Sequence, residues 1–251
     1  MYTRLIIGHG IQRFEQASST NSLTKIILKE NSLAEGTVII ADEQSQGRGQ
    51  YGNSWVTTKN LNLTFSIILY PKHLKAVQQF LLSQTICLGI VHYLKQKTSL
   101  PIAIKWPNDI LVNEKKICGI LIENSLQQVC ISESIVGIGL NINEPEFSEQ
   151  LPHATSLSIV TGQDYNLKAE LELLLNSIDK FCLLLWQGKY ELINSEYHQH
   201  LFRLYKEASY VVNNKTIMGK IIGINTLGQL EVLINNELET FSNKEIAFVY
   251  N

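Results

Sequence analysis

The chain has 251 residues, 45% hydrophobic and 18% charged, which is enough apolar material for one large domain and a small one and too much for a disordered chain. Lysines and arginines total 21 against 23 aspartates and glutamates, a formal net charge of −2. That balance argues against a protein that wraps nucleic acid, which needs a basic face to neutralise phosphates.

The opening stretch, 1–10, carries Arg4 and the short apolar run Leu5-Ile6-Ile7, too short for a signal-peptide core. No apolar run approaches membrane-spanning length, so the expectation is a cytoplasmic protein without a membrane partner. Ser19-Thr20-Asn21 suits a helix N-cap, and a helix over 22–30 follows. Residues 37–42 read as a buried β-branched strand, and 61–69 as a strand closed by Pro71. From 73 to 96, apolar residues recur at Leu74, Val77, Leu81, Leu88, Val91 and Leu94, predicting a helix with a wide buried face. Residues 102–106 form a short strand stopped by Pro107, because the residue before proline is pushed into extended geometry. A turn at 113–116 joins strands over 110–112 and 117–123, and 128–141 supplies another strand. Residues 167–204 are helical, broken in two at Gly188. After 207 come short β-type runs at 209–212, 216–224, 230–234 and 238–241, separated by Asn-Asn or Gly turns. The pattern predicts an α+β chain: a mixed or antiparallel sheet with flanking helices over 1–206, and a small antiparallel β-barrel over 207–251. Cys87, Cys118, Cys130 and Cys182 form no C-x-x-C pair and sit among apolar neighbours, as buried reduced thiols do.

One loop carries chemistry. Gln44-Ser45-Gln46-Gly47-Arg48-Gly49-Gln50-Tyr51-Gly52-Asn53-Ser54-Trp55 follows a strand and places Arg48 between two glycines. Glycine lets backbone N–H groups approach an anion, and arginine offers a rigid fork of donors to phosphate or carboxylate. The loop has neither P-loop nor dinucleotide-fingerprint spacing, and alone it fits a surface turn as well as a phosphate cradle. Lys105, at a strand end, reads alone as a solvated lysine. Trp55 reads as a loop anchor or a stacking surface. Gly137 and Gly139 alternate along a strand and face one side, for a flat ligand or for a close neighbour. No Ser-His-Asp or Cys-His arrangement appears.

Five segments in order resemble the signatures of biotin–protein ligases: Ser19-Thr20-Asn21, Arg48 to Trp55, Lys105-Trp106-Pro107-Asn108-Asp109, Lys116 to Glu123, and Gly137-Ile138-Gly139-Leu140-Asn141-Ile142-Asn143; Ala154-Thr155-Ser156-Leu157 extends the likeness. The resemblance implies a class II synthetase-like catalytic domain with a small C-terminal β-domain that helps close the ATP site, although no C-terminal residue matches a motif. It implies activation of biotin by ATP to biotinyl-AMP, followed by transfer to a lysine of the biotin carboxyl carrier protein or domain of acetyl-CoA carboxylase or another biotin-dependent carboxylase. By the same resemblance biotin is held by Ser19, Thr20, Asn21, Gln44, Arg48, Gly49, Gln50, Lys105, Gly137 and Gly139. ATP is held by Arg48, Gln50, Tyr51, Gly52, Trp55, Lys105 and Asn141, with Trp55 stacking on adenine. Lys105 and Arg48 are the implied catalytic groups. No protein metal site is implied; Mg2+ arrives with ATP, near Asn141, and Lys116 lies near the phosphates. The chain departs from many relatives at Gln50 and Tyr51, where basic residues are common, so a looser grip on the adenylate is expected. Lipoate–protein ligase, of the same fold, is the nearest alternative, and a biotin-responsive repressor is another. Only 18 residues precede Ser19, fewer than a winged-helix domain needs, so the monofunctional type without nucleic-acid partner is expected. A homodimer is compatible with the resemblance.

Overall fold

The structure, a computed structural model, describes residues 6–250; the part of the opening run at 1–5 lies outside them. Ser19, two residues past the first strand, caps the first helix. Its extended backbone (φ −156°, ψ 142°) lets the hydroxyl accept from Ser22 N, the N-cap geometry that hydroxyl residues favour. In chain order the elements are β1 Ile11–Ala17, α1 Thr20–Glu30, β2 Val38–Gln44, β3 Leu63–Leu69, α2 Gln79–Leu94, β4 Ile102–Lys105, β5 Asp109–Val112, β6 Lys115–Gln127, β7 Cys130–Leu140, α3 Leu157–Thr161, α4 Leu167–Trp186, α5 Tyr190–Gln199, β8 Glu207–Val212, β9 Lys215–Ile224, β10 Leu230–Ile234, β11 Glu237–Phe241 and β12 Ile246–Phe248.

The first seven strands form a mixed sheet in the order β1-β2-β3-β7-β6-β5-β4. Only β1 and β2 run parallel; the other pairs are antiparallel. Every residue of β3 is buried, as expected for a central strand. Helix α2 packs on α4 so closely at Gly89 that an added Cβ would lie 2.6 Å from Ile178 Cα. Cys87, Cys118 and Cys182 are buried, and burial pushes their thiols up, away from thiolate reactivity. No helix among the described residues is long and apolar enough to cross a membrane.

Several expectations need correction. β1 was missed because it is an edge strand with mostly exposed residues, so it shows no alternation. The helix expected over 73–96 starts at Gln79, after turns and a short 3-10 segment at Ala76–Gln78. The hairpin turn contracts to Asn113-Glu114, with φ of 48° and 64°, the double positive φ of a two-residue turn, which returns Lys115 and Lys116 to β6. The strand expected over 128–141 begins at Cys130, because Gln128 turns the chain at φ 56°. The helical stretch breaks at Gly188 (φ 70°) but ends at Gln199, not 204.

The C-terminal strands make a five-stranded antiparallel sheet in the order β11-β10-β9-β8-β12, and it does not close into the expected barrel. Its two edges are poor templates for a further strand: β12 is three residues long, while β11 exposes Glu237 and Glu239, and charge on an edge disfavours strand addition. The open sheet touches the larger one where Trp106 Nε1 donates to Gly228 O at 2.9 Å, and the segment that leads into it bridges to β4 at Ile104 through Leu201.

Candidate active site

The N-terminus of α1, loop 44–55, the β4–β5 hairpin, the middles of β6 and β7, and residues 243–248 of the C-terminal sheet enclose a cavity of about 390 Å³. Its lining brings together Ser19, Thr20, Asn21, Gln44, Arg48, Gly49, Gln50, Trp55, Lys105, Lys116 and Gly137 from the sequence-derived candidates.

One end is a fixed polar network. Thr20 N donates to Gln44 Oε1 at 2.8 Å, coupling α1 to the end of β2. Ser66 Oγ donates to Asn21 Oδ1 at 2.6 Å and lies 2.8 Å from Thr20 Oγ1. Asn21 Nδ2 donates to Leu121 O at 3.2 Å and to Glu123 Oε2 at 2.8 Å, so its amide orientation is pinned on both sides. Thr20, Asn21 and Ser66 are all buried, and buried polar groups held this way are preorganised rather than adaptable. Gly137 lies beneath: a Cβ there would overlap the Asn21 amide. Its bare backbone therefore makes room for Asn21.

Loop 44–55 is a small hairpin. Gly49 N donates to Asn53 O at 2.7 Å and Trp55 N to Gly47 O at 2.9 Å, around a 3-10 turn at Gln50–Gly52. Gly52 sits at φ 85°, which favours glycine at this turn. Arg48 Nη2 pairs with Glu123 Oε1 at 3.0 Å, and Lys25 Nζ meets the same oxygen at 2.6 Å. Burial alone would raise the Glu123 carboxyl, but hydrogen bonds from Lys25 and Asn21 and the nearby Arg48 charge outweigh it and hold it below the ordinary carboxylate value. The Trp55 indole covers Gly119 and Gly139: a Cβ at Gly119 would lie 2.9 Å from Trp55 Cζ3, and one at Gly139 would overlap the ring. Trp55 Nε1 is buried without a hydrogen-bond partner, and Lys116 Nζ stands 5.5 Å over the ring while pairing with Asp109 Oδ1 at 2.7 Å. Gly139 is thus under Trp55 and outside the cavity lining.

Lys105 closes β4, opposite Asp109 in the hairpin register. Because Lys116 takes the Asp109 carboxylate, the Lys105 ammonium rests instead over Phe248 at 5.2 Å and Tyr250 at 5.0 Å.

The structure places two other candidates apart from the cavity. Asn141 is buried, its Nδ2 donating to Thr155 O at 3.0 Å, and it does not line the cavity. Gly52 is exposed at the loop tip, also off the lining. Tyr51 contributes backbone to the same tip. The residues do not fit a protein-held Mg2+: among the described residues no group of three or more His, Cys, Asp or Glu converges, and Asp109, the one carboxylate on the lining, is paired with Lys116.

Sequence reasoning missed Ser66, Glu123, Asn243 and Phe248. Ser66 is the polar interruption of an apolar run, and Glu123 the acid that ends another. Both signals are visible once the strands are placed. Asn243 and Phe248 carry no local signal.

The site is a pocket with a hydrogen-bonding end anchored on the Glu123 carboxylate and four cations on its lining, Arg48, Lys105, Lys116 and Lys244, a donor set suited to an anionic ligand. Residues 13–141, more than half the chain, match the Biotin/lipoate A/B protein ligase family, and the chain belongs to that family. It is 27% identical over 245 residues to the bifunctional ligase/repressor BirA of Bacillus subtilis, covering 96% of this chain and 74% of that one. It is 31% identical over 157 residues to a biotin–[acetyl-CoA-carboxylase] ligase of Mycobacterium tuberculosis, covering 60% of this chain and 56% of that one. Among solved structures, biotin protein ligase from Aquifex aeolicus in complex with biotin and ATP superposes with a TM-score of 0.81 at 27% identity, over 97% of this chain and 100% of that one.

Proposed function

We propose that the chain is a biotin–protein ligase. The observation that carries this reading is one cavity that joins the pinned network of Thr20, Asn21, Gln44 and Ser66 to Arg48 and Lys105. A ureido ring offers two N–H donors and one carbonyl, and such a network matches it while an apolar wall takes the rest. The biotin carboxylate attacks the α-phosphorus of ATP. A carboxylate O–P bond forms, the bond to pyrophosphate breaks, and pyrophosphate leaves. Two anions must be brought together, so Arg48 and Lys105 act by offsetting repulsion and stabilising the charge that grows in the transition state. In the second step an acceptor lysine amine attacks the mixed anhydride carbonyl; an amide forms, AMP leaves and the amine loses its proton. Neither step needs a nucleophile from this chain itself.

The site roles of Ser19 to Asn21, Gln44, Arg48, Gly49, Gln50, Trp55, Lys105 and Gly137 belong to this proposal, as does the division of the chain into a catalytic unit over 1–206 and a C-terminal unit over 207–251. Magnesium would accompany the ATP phosphates. The acceptor is a biotin carboxyl carrier domain, a reading supported by the names of the relatives. Labelled biotin, ATP and a purified carrier domain provide the test. A carrier mass increase of one biotinyl group, dependent on the acceptor lysine, is expected; an unmodified carrier would overturn the assignment.

A further inference from the structure

We propose that Phe248 and Tyr250, at and just beyond the end of the last strand of the C-terminal sheet, are positioning residues for Lys105. The inference rests on the ligase reading for its kinetic consequence, although the contact itself does not. Lys105 Nζ lies 5.2 Å from the Phe248 ring centroid and 5.0 Å from that of Tyr250, both inside the roughly 6 Å reach of a cation–π contact. Among the described residues no carboxylate meets this ammonium, since Asp109 across the hairpin is taken by Lys116 at 2.7 Å. The difference matters for chemistry on anions. A carboxylate would hold the lysine by neutralising it, whereas an aromatic face holds it through the ring quadrupole and leaves the full charge directed at the cavity.

Both rings are themselves held. Phe248 packs edge-on against Tyr210 at 5.4 Å and stacks with Phe202 at 6.1 Å. Tyr250 stacks on His153 at 4.4 Å, with the Arg203 guanidinium 5.8 Å from its centroid. Arg203 also donates to Val249 O at 3.0 Å, from a left-handed backbone at φ 61°. The seat is therefore fixed before any ligand arrives, and it makes the C-terminal sheet part of the adenylation machinery.

The test measures biotin-dependent ATP–pyrophosphate exchange in the full chain for Phe248→Leu, Tyr250→Leu and Tyr250→Phe, each also in a Lys105→Met background. The leucine variants keep apolar volume and lose the π face, so kcat should fall about tenfold with KM for ATP little changed, a loss within the range of desolvated cation–π contacts. Tyr250→Phe keeps the ring and should behave as the native chain. With Lys105→Met in place, removing either ring should cost nothing more. Full activity in Phe248→Leu, or an equal loss in the Lys105→Met background, overturns the proposal. A readout without substrate separates this from failure of the ligase reading. After reductive methylation with labelled formaldehyde, the Lys105 methyl resonance should be shifted upfield by ring currents and return to the free-lysine position in Phe248→Leu. A shifted resonance in a chain inactive toward biotin would sink the ligase reading and keep the seat; an unshifted one overturns the seat.

Discussion

Asn243 Nδ2 donates to Gln50 Oε1 at 2.8 Å, so the tip of loop 44–55 is fastened to the C-terminal sheet by a neutral amide pair. The chain thus combines a tie between loop and second sheet with a neutral side chain at position 50. The first consequence is kinetic. Asn243→Ala removes the tie, and with a net hydrogen bond worth about 1 kcal/mol, release of biotinyl-adenylate should quicken about fivefold. Gln50→Arg places a cation beside the anhydride phosphate and should slow release. Stopped-flow fluorescence measures both; equal off-rates for the native chain and Gln50→Arg would remove the charge argument.

Glu123 gathers Arg48, Lys25 and Asn21 on one carboxylate. Its carboxyl is held below the ordinary 4.5 in the folded chain, so the ordering it supplies is present above that value and is lost as pH falls through the lowered one. Biotin affinity in the native chain should be unchanged by this group from neutral pH down to 4.5, and weaken only in more acidic solution. Glu123→Gln should bind biotin about tenfold more weakly at neutral pH, because charge-assisted partners are lost, and show less of the acid-side decline. Calorimetric titrations across pH check this, and native affinity in Glu123→Gln contradicts it.

The two glycines of β7 separate the two ligands. Gly137→Ala collides with an Asn21 amide that three hydrogen bonds hold in place, so biotin binding should fall more than about tenfold, as expected when a buried polar network is broken. Gly139→Ala collides with the Trp55 ring and should change ATP affinity while leaving biotin affinity within about twofold, in line with additivity of separate sites. Paired binding isotherms would show the contrast; equal effects on both ligands from either variant would refute it.

Lys105→Ala removes a cation aimed at the cavity without burying an unpaired group. The adenylation rate should fall about a hundredfold or more, as when a preorganised electrostatic contact is lost, with thermal stability close to native. Single-turnover formation of biotinyl-AMP provides the rate, and a native rate excludes Lys105 from catalysis.

Much of this site was legible because its parts are contiguous in sequence. Ser19-Thr20-Asn21, loop 44–55 and the Lys105 segment each announce themselves within a dozen residues, and they fold to one cavity. The rest depends on long-range placement. Ser66 joins Asn21 from 45 residues away and Asn243 joins Gln50 from 193, distances at which no local pattern speaks. The alternation of glycines at 137 and 139 is visible in the sequence and leaves open a flat ligand or a close neighbour; the packing shows side chains, Asn21 and Trp55, against them. β1 escaped notice for want of a buried face, and the barrel proved an open sheet because closure depends on which edges meet, a property of tertiary structure.

The most direct test of the central claim is ATP–pyrophosphate exchange run in parallel with biotin and with lipoate. The account predicts exchange that requires biotin, is not supported by lipoate and falls about a hundredfold in Lys105→Ala. Exchange driven by lipoate alone, or exchange indifferent to both acids, would contradict it.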